Sequence, residues 1–354
     1  MQLDQTNSLD FRSDTVTKPT PEMREAMYQA AVGDDVYGED PSINMLQELA
    51  ADMTGKEAAL FVPSGTMGNL ASILSHCKRG EEIIVGRKAH IFLFEAAGAS
   101  ALGGVNINTI PNQPDGKLSL EDIEQAIRPD DVHQPITKLV AMENTHNRCN
   151  GASLSQSYTE NLAEYVHSRG LKLHIDGARI FNAAVDQNIS VKNLASPADS
   201  ITFCLSKGLS APVGSLICGS QEFIKTAHRV RKQLGGGMRQ AGIVAAAGIV
   251  ALESMTDRLR DDHRRAKSLA QGLSTIPQVV IELENQHTNM VYFSLEPELG
   301  VSLSTLRNSL HEKGLFIGGG SDRIRMVTHY WITDASVQQA LELIEETIVS
   351  LKKN

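Results

Sequence analysis

Long hydrophobic runs are absent from this sequence. The longest apolar stretch, Ala241 to Leu252, falls far short of the ~20 residues a membrane-spanning helix requires. The opening residues Met1–Gln5 show no basic-then-apolar pattern, so no secretory signal is read there. Cysteine is scarce: Cys77, Cys149, Cys204 and Cys218 are scattered without close pairing, as expected for reduced buried thiols of a cytoplasmic protein. A basic excess is missing too. The net charge of -9 argues against nucleic acid or an anionic membrane as a partner. No Gly-x-Gly-x-x-Gly follows the first expected strand, no Gly-x-x-x-x-Gly-Lys marks a nucleotide loop, and no His-Glu-x-x-His spacing marks a metal site. Glu143, His146 and His174 have no metal-ligand spacing either, so no metal is expected.

What is present is a regular alternation of strand and helix signals. Residues 1–8 are polar. Thr20-Pro21 and Asp40-Pro41 each read as a helix cap followed by proline at the first helical position. Strands are expected at 58–62, 82–85, 105–110, 138–142, 171–175, 200–205 and 213–218, with helices between them, including one over 91–102. That order predicts an α/β fold: a large domain with a mainly parallel sheet flanked by helices on both faces. After Gly235-Gly236-Gly237 two long helices are expected, split near Met255, followed by strands near 278–283, 289–294 and 323–328. The tail from about residue 253 reads as a smaller α+β domain.

Two charges stand at expected strand ends, Asp176 after Leu171–Ile175 and Lys207 after Ile201–Leu205. Open α/β sheets hold ligands at that edge. A lysine that forms a Schiff base and a carboxylate facing a pyridinium nitrogen are what pyridoxal phosphate needs most. The plainer alternatives are a surface lysine and a structural ion pair of Asp176 with Arg179. The turn Pro63-Ser64-Gly65-Thr66 between strand and helix is either a phosphate site or an ordinary connection. His90 could stack on a cofactor ring or act as a base, or be a half-buried histidine with its hydrogen bonds met. His133 reads first as a surface-loop residue. Gly235–Gln240, preceded by Arg231-Lys232, is glycine-rich and cationic, a phosphate contact or a helix junction. Gly318-Gly319-Gly320 has no evident task.

As strings in one order, these segments resemble the L-threonine aldolase family. The resemblance rests on Arg12-Ser13-Asp14-Thr15-Val16-Thr17, Val32–Pro41, Glu143-Asn144-Thr145-His146-Asn147, His174–Asn182, Ser206-Lys207-Gly208, Gly235–Gln240 and Arg325-Met326-Val327-Thr328-His329. It implies an aspartate-aminotransferase-like fold (pyridoxal-phosphate-dependent transferase type I). The implied division is an N-terminal segment 1–18 reaching the active site, a cofactor domain 19–252 and a small domain 253–354. It implies Lys207 as the Schiff-base lysine, Asp176 as the pyridinium partner and His90 as the stacked ring. Ser64, Gly65, Thr66 and Ser206 are implied at the phosphate, with Lys232 and Arg239 reaching it from a neighbouring subunit. Ser13, Arg179 and Arg325 are implied on the substrate carboxylate, His133 with His90 near the substrate hydroxyl, and Tyr37 near the interface of a homotetramer of catalytic dimers.

The implied reaction is retro-aldol cleavage of the Cα–Cβ bond of a β-hydroxy-α-amino acid, giving glycine and an aldehyde, with His90 or His133 as the base. The low-specificity type is expected, because the His133 loop is polar. Two departures bear on the β-substituent: Asn147–Leu154 lacks an expected proline, and Phe92 and Phe94 stand where relatives vary. The rivals are a β-eliminating lyase, a serine hydroxymethyltransferase or a phenylserine aldolase of the same fold, and a non-catalytic binding relative.

Overall fold

The computed structural model of the chain describes residues 9–352; the polar residues 1–8 lie outside the described residues. In chain order the strands are β1 (Asp10–Phe11), β2 (Ala58–Val62), β3 (Glu82–Gly86), β4 (Asn106–Ile110), β5 (Thr137–Glu143), β6 (Lys172–Asp176), β7 (Ser200–Cys204), β8 (Ser215–Gly219), β9 (Val279–Val280), β10 (Met290–Leu295), β11 (Phe316–Gly319) and β12 (Ile324–Val327). Seven of them form one sheet in the order β2-β8-β7-β6-β5-β3-β4. Only β8 runs against its neighbours; the pairs among β3 to β7 are parallel. Apolar runs such as Ile83-Ile84-Val85 are fully buried because helices cover both faces.

This topology puts the ends of β2, β3, β5, β6 and β7 along one edge of the sheet. Ser64, His90, Glu143, Asp176 and Lys207 therefore meet there although they lie far apart in the sequence. Local signals start the helices that cover the sheet. Thr20 caps Pro21–Gln29 and Asp40 caps Pro41–Thr54, each with its side chain accepting an amide of the first turn. The long apolar run becomes the helix Gly242–Ser254, and a second helix, Leu259–Thr275, follows it. Among the described residues no helix is long and apolar enough to cross a membrane.

One expected element is different. The helix over 91–102 is two four-residue turns, His90–Leu93 and Gly98–Ala101. Ala96 and Ala97 between them both take positive φ, 51° and 54°. Left-handed backbone cannot continue a right-handed helix, and the break turns Glu95 into the interior, where it is 6% exposed.

The remaining strands form a second sheet, β1-β11-β12-β10-β9. Of these, β1 and β11 were not anticipated; both are too short to show a period in the sequence. The Gly318-Gly319 run, left without a task above, lies in β11. A Cβ on Gly318 would stand 2.8 Å from the Arg12 carbonyl oxygen, so glycine lets the N-terminal segment lie flat on this strand. Strand β1 pairs in parallel with β11, which carries Ser13 and Asp14 from the small sheet to the edge of the large one.

Asp40 is fully buried and ties three backbone segments together. Its carboxylate accepts the amides of Gly33 (3.2 Å), Ile43 (3.0 Å) and Gly242 (2.9 Å). Asp40→Ala leaves these donors unpaired and should cost about 2–4 kcal/mol of unfolding free energy in urea titrations.

Candidate active site

Asp176 closes β6 and is 3% exposed. Its partner is not Arg179, the structural pair considered from the sequence. Arg179 turns to Asp14, with Nε to Oδ2 at 2.7 Å and a terminal nitrogen to Oδ1 at 2.5 Å. The two carboxylates thus sit in opposite environments. Burial works against the charge on Asp14, but Arg179, Lys207 and Arg325 hold its carboxyl well below the usual range. Burial, followed by the nearby Glu143 and Glu95 carboxylates, pushes Asp176 up to about 6. A buried acid in that position suits a cationic ligand nitrogen.

Lys207 is half-buried just past β7. Its charge acts on Asp14, Asp176 and His90 together. Thr17 Oγ1 donates to the Lys207 carbonyl at 3.1 Å, so the N-terminal segment also braces this turn. His90 opens the short turn after β3. Its amide donates to Glu143 Oε2 at 2.7 Å, and its Nδ1 lies 2.9 Å from Glu95 Oε1. One ligand-capable atom each of His90, Glu95 and Asp176 falls within 4.8 Å of the others. Burial disfavours the His90 cation, but Glu95 and Asp176 outweigh it and raise the pKa.

The turn Ser64-Gly65-Thr66 leads into the helix Gly65–His76 at the same edge. Ser64 Oγ accepts the Met67 amide, while the amides of Gly65 and Thr66 fall in the first turn, which lacks intrahelical acceptors. A Cβ on Gly65 would meet Cys204 Sγ at 2.8 Å. In the triple-glycine loop Gly236 packs on Met67, and Gly237 packs on the side chain of Lys232. Ser206 is half-buried beside Lys207.

Ser13 caps the turn Asp14–Val16, adjacent to Arg325. Arg325 donates to Asn147 Oδ1 (2.8 Å) and to the Arg12 carbonyl (3.1 Å), and its Nε is buried without a partner. Ser215 Oγ and Asn289 Oδ1 are likewise unpaired and buried; the first lies 3.7 Å from the Cβ position of Gly65, and Asn289 bonds Asp14 through its amide nitrogen.

Three expected residues are elsewhere. His133 precedes β5, hence at the opposite edge of the parallel sheet, and is 86% exposed beside Asp131. Its own chain does not bring it to Lys207. Arg239 is exposed and pairs with Asp34 at 2.9 Å. Tyr37 is 75% exposed, on the rim of a separate cavity of about 730 Å³ that includes Arg231. Conversely, Asp14, Glu95, Asn69 and His174 belong to the buried surroundings of the site and were not singled out as site residues. The available signal was that Asp14 and His174 lie within strings quoted for their likeness.

A family model described as beta-eliminating lyase matches residues 10–296. Low-specificity L-threonine aldolase 1 of Arabidopsis thaliana is 47% identical over 350 residues, covering 98% of each chain. The low specificity L-threonine aldolase of Escherichia coli (strain K12) is 46% identical, covering 95% of this chain and 97% of that one. The chain belongs to the L-threonine aldolase family. Among solved structures, the threonine aldolase of Leishmania major shares the fold with a TM-score of 0.79 at 22% identity, covering 96% of this chain and 99% of that one. The family's cofactor is pyridoxal phosphate. The residues here fit it: an acid at Asp176 wanting a cation, an amine at Lys207, helix-end amides for a phosphate, and an unpaired guanidinium nitrogen on Arg325.

Two outcomes follow for stability. Asp14→Ala strands a buried guanidinium and should cost about 3–5 kcal/mol in denaturant. In the apoprotein, the raised pKa of Asp176 means that the folded state binds more protons than the unfolded one between pH 3.8 and about 6. Stability therefore falls as pH rises through that window, and Asp176→Asn should remove this loss, a difference of about 2–3 kcal/mol above it. Thermal unfolding of both proteins across pH measures it.

Proposed function

We propose that this chain cleaves L-threonine and L-allo-threonine, with other β-hydroxy-α-amino acids, to glycine and an aldehyde. The observation that carries the reading is the convergence of Lys207, Asp176 and His90 at one sheet edge, with Arg325 reaching it from the small sheet. When bound, pyridoxal phosphate supplies a sink for the electron pair left on Cα when the Cα–Cβ bond breaks. Lys207 would hold the cofactor through Nζ. Asp176 would keep a proton on the ring nitrogen, and the His90 imidazole would lie on the ring. The Gly65 and Thr66 amides and Ser206 would bind phosphate, with Ser64 shaping that turn.

Arg325 and Ser13 would bind the substrate carboxylate; a guanidinium suits that planar anion better than an ammonium. Arg179 would join them on the carboxylate: Asp14 holds its Nε and one terminal nitrogen, which would leave the other terminal nitrogen for the substrate. His90 or His133, directly or through water, would take the β-hydroxyl proton. For His133 a neighbouring subunit is required. A homotetramer of catalytic dimers meets that need, and the same assembly would carry Lys232, Arg239 and Tyr37 to a partner's site. The exposed apolar residues Phe92, Phe94, Val132 and Ile136 support such contacts. The four buried free cysteines fit a reducing compartment, the cytoplasm.

The family model's description leaves β-elimination as the second reading. L-threonine separates the two: aldol cleavage yields acetaldehyde and glycine, whereas β-elimination yields a 2-oxo acid and ammonia. Borohydride reduction of the holoenzyme followed by peptide mapping should place the pyridoxyl group on Lys207; its recovery on another residue, or on none, overturns the assignment. His90→Asn and His133→Asn together should lower kcat by about a hundredfold or more, and little loss in the double variant would reject both as the base. Static light scattering should return four chains per particle.

A further inference from the structure

Five hydrogen bonds connect His90 to the opposite edge of the sheet. His90 Nδ1 lies 2.9 Å from Glu95 Oε1, and the same oxygen receives Asn69 Nδ2 at 2.8 Å. Asn69 Oδ1 faces His174 Nε2 at 3.1 Å. His174 Nδ1 faces Ser200 Oγ at 2.8 Å, and Ser200 Oγ faces His76 Nε2, also at 2.8 Å. Asn69 and His76 come from the helix Gly65–His76, and His174 and Ser200 are register partners on β6 and β7. His174 and Asp176 share one face of β6, as residues two apart must. Asn69, His174 and Ser200 are buried, whereas His76 stacks on Phe223 and lines a cavity of about 580 Å³ at the far edge.

A single constraint orients all five bonds. A carboxylate oxygen that takes two neighbours can only accept, so Asn69 must turn its amide nitrogen to Glu95 and its oxygen to His174. The His174 ring must then carry its proton on Nε2 and accept at Nδ1 from the Ser200 hydroxyl. Ser200 in turn accepts from His76 Nε2. Burial pushes His174 down to about 3 and His76 to about 4, so both rings are neutral near pH 7 and have one donor and one acceptor to offer.

We propose that Asn69, His174 and Ser200 are positioning residues of the active site: a one-way chain of donors that ends on Glu95 and holds its carboxylate turned to His90. Glu95 immediately precedes the two left-handed alanines that break the helix, and among the described residues its side chain bonds only Asn69 and His90. The groups that face His90 are Glu95 on its own segment, Asp176 on β6, Glu143 on β5 and Lys207 after β7. The chain acts on the first of these. This inference rests on the aldolase reading for its kinetic consequence only; the proton arrangement is a property of the apoprotein.

The test has two arms. Histidine-selective 15N NMR of the wild-type apoprotein, with resonances assigned by single histidine replacements, should show His174 and His76 as neutral Nε2–H tautomers through the neutral range. In the holoenzyme, Asn69→Asp keeps the shape but can donate to Glu95 only while its own carboxyl is protonated, and a second carboxyl against a first holds its proton late. Its kcat should match wild type at low pH and fall about ten- to a hundredfold as pH rises through a new limb, with KM little changed. Asn69→Leu, which cannot donate, should show the low kcat throughout. An Nδ1–H tautomer at His174, or an Asn69→Asp profile superimposable on wild type, overturns the proposal. If the variants do not fold, the tautomer measurement decides alone. A wild-type protein with the expected tautomers but no aldol cleavage would reject the functional reading and leave the donor chain standing.

Discussion

The contact on which the site depends is the buried ion pair of Asp14 and Arg179, residues 165 apart in the chain. Removing two charges from water is costly, and only bidentate geometry with further hydrogen bonds offsets it. Here Arg179 makes both bonds, and Asn289 adds a third to Asp14. The pair locks the N-terminal segment, which starts in the small sheet, onto the loop after β6 in the large one. Ser13, Arg12 and Thr17 are thereby set against Arg325 and Lys207. It also keeps from Asp176 the cation three residues on.

That removal shapes the chemistry. Asp14 is an anion held by three cations, and Asp176 is an acid surrounded by Glu95 and Glu143. Two carboxylates in one buried site are thus shifted in opposite directions, one committed to structure and one left for a ligand cation. Glu143 serves both sides of the site, accepting His90 through one oxygen and the Asn147 amide through the other. Asn147 then meets Arg325 and Tyr292, so the loop after β5 couples the His90 side of the site to the Arg325 side.

The succession of strands and helices along the chain and the caps at Thr20 and Asp40 were legible because their causes are local. Thr20 and Asp40 each accept an amide three residues on, and the buried strands show as unbroken apolar runs. The break at Ala96-Ala97 was not legible, since nothing in two alanines announces left-handed backbone; packing of Glu95 against Asn69 and His90 imposes it. Gly318 gave no sign of its task because the group it makes room for, the Arg12 carbonyl, comes from the other end of the chain. His133 shows the same limit, lying at the sheet edge opposite Lys207.

By itself the sequence determined an α/β chain with Asp176 and Lys207 at strand ends of one sheet edge, since period, caps and strand-end charges act over a few residues. The tertiary structure alone decided which charge meets which. Arg179 could have answered Asp176 three positions away, and instead it answers Asp14. Only the closed fold brings that carboxylate within 2.7 Å, and a buried charge takes the partner that geometry delivers, not the one nearest in sequence.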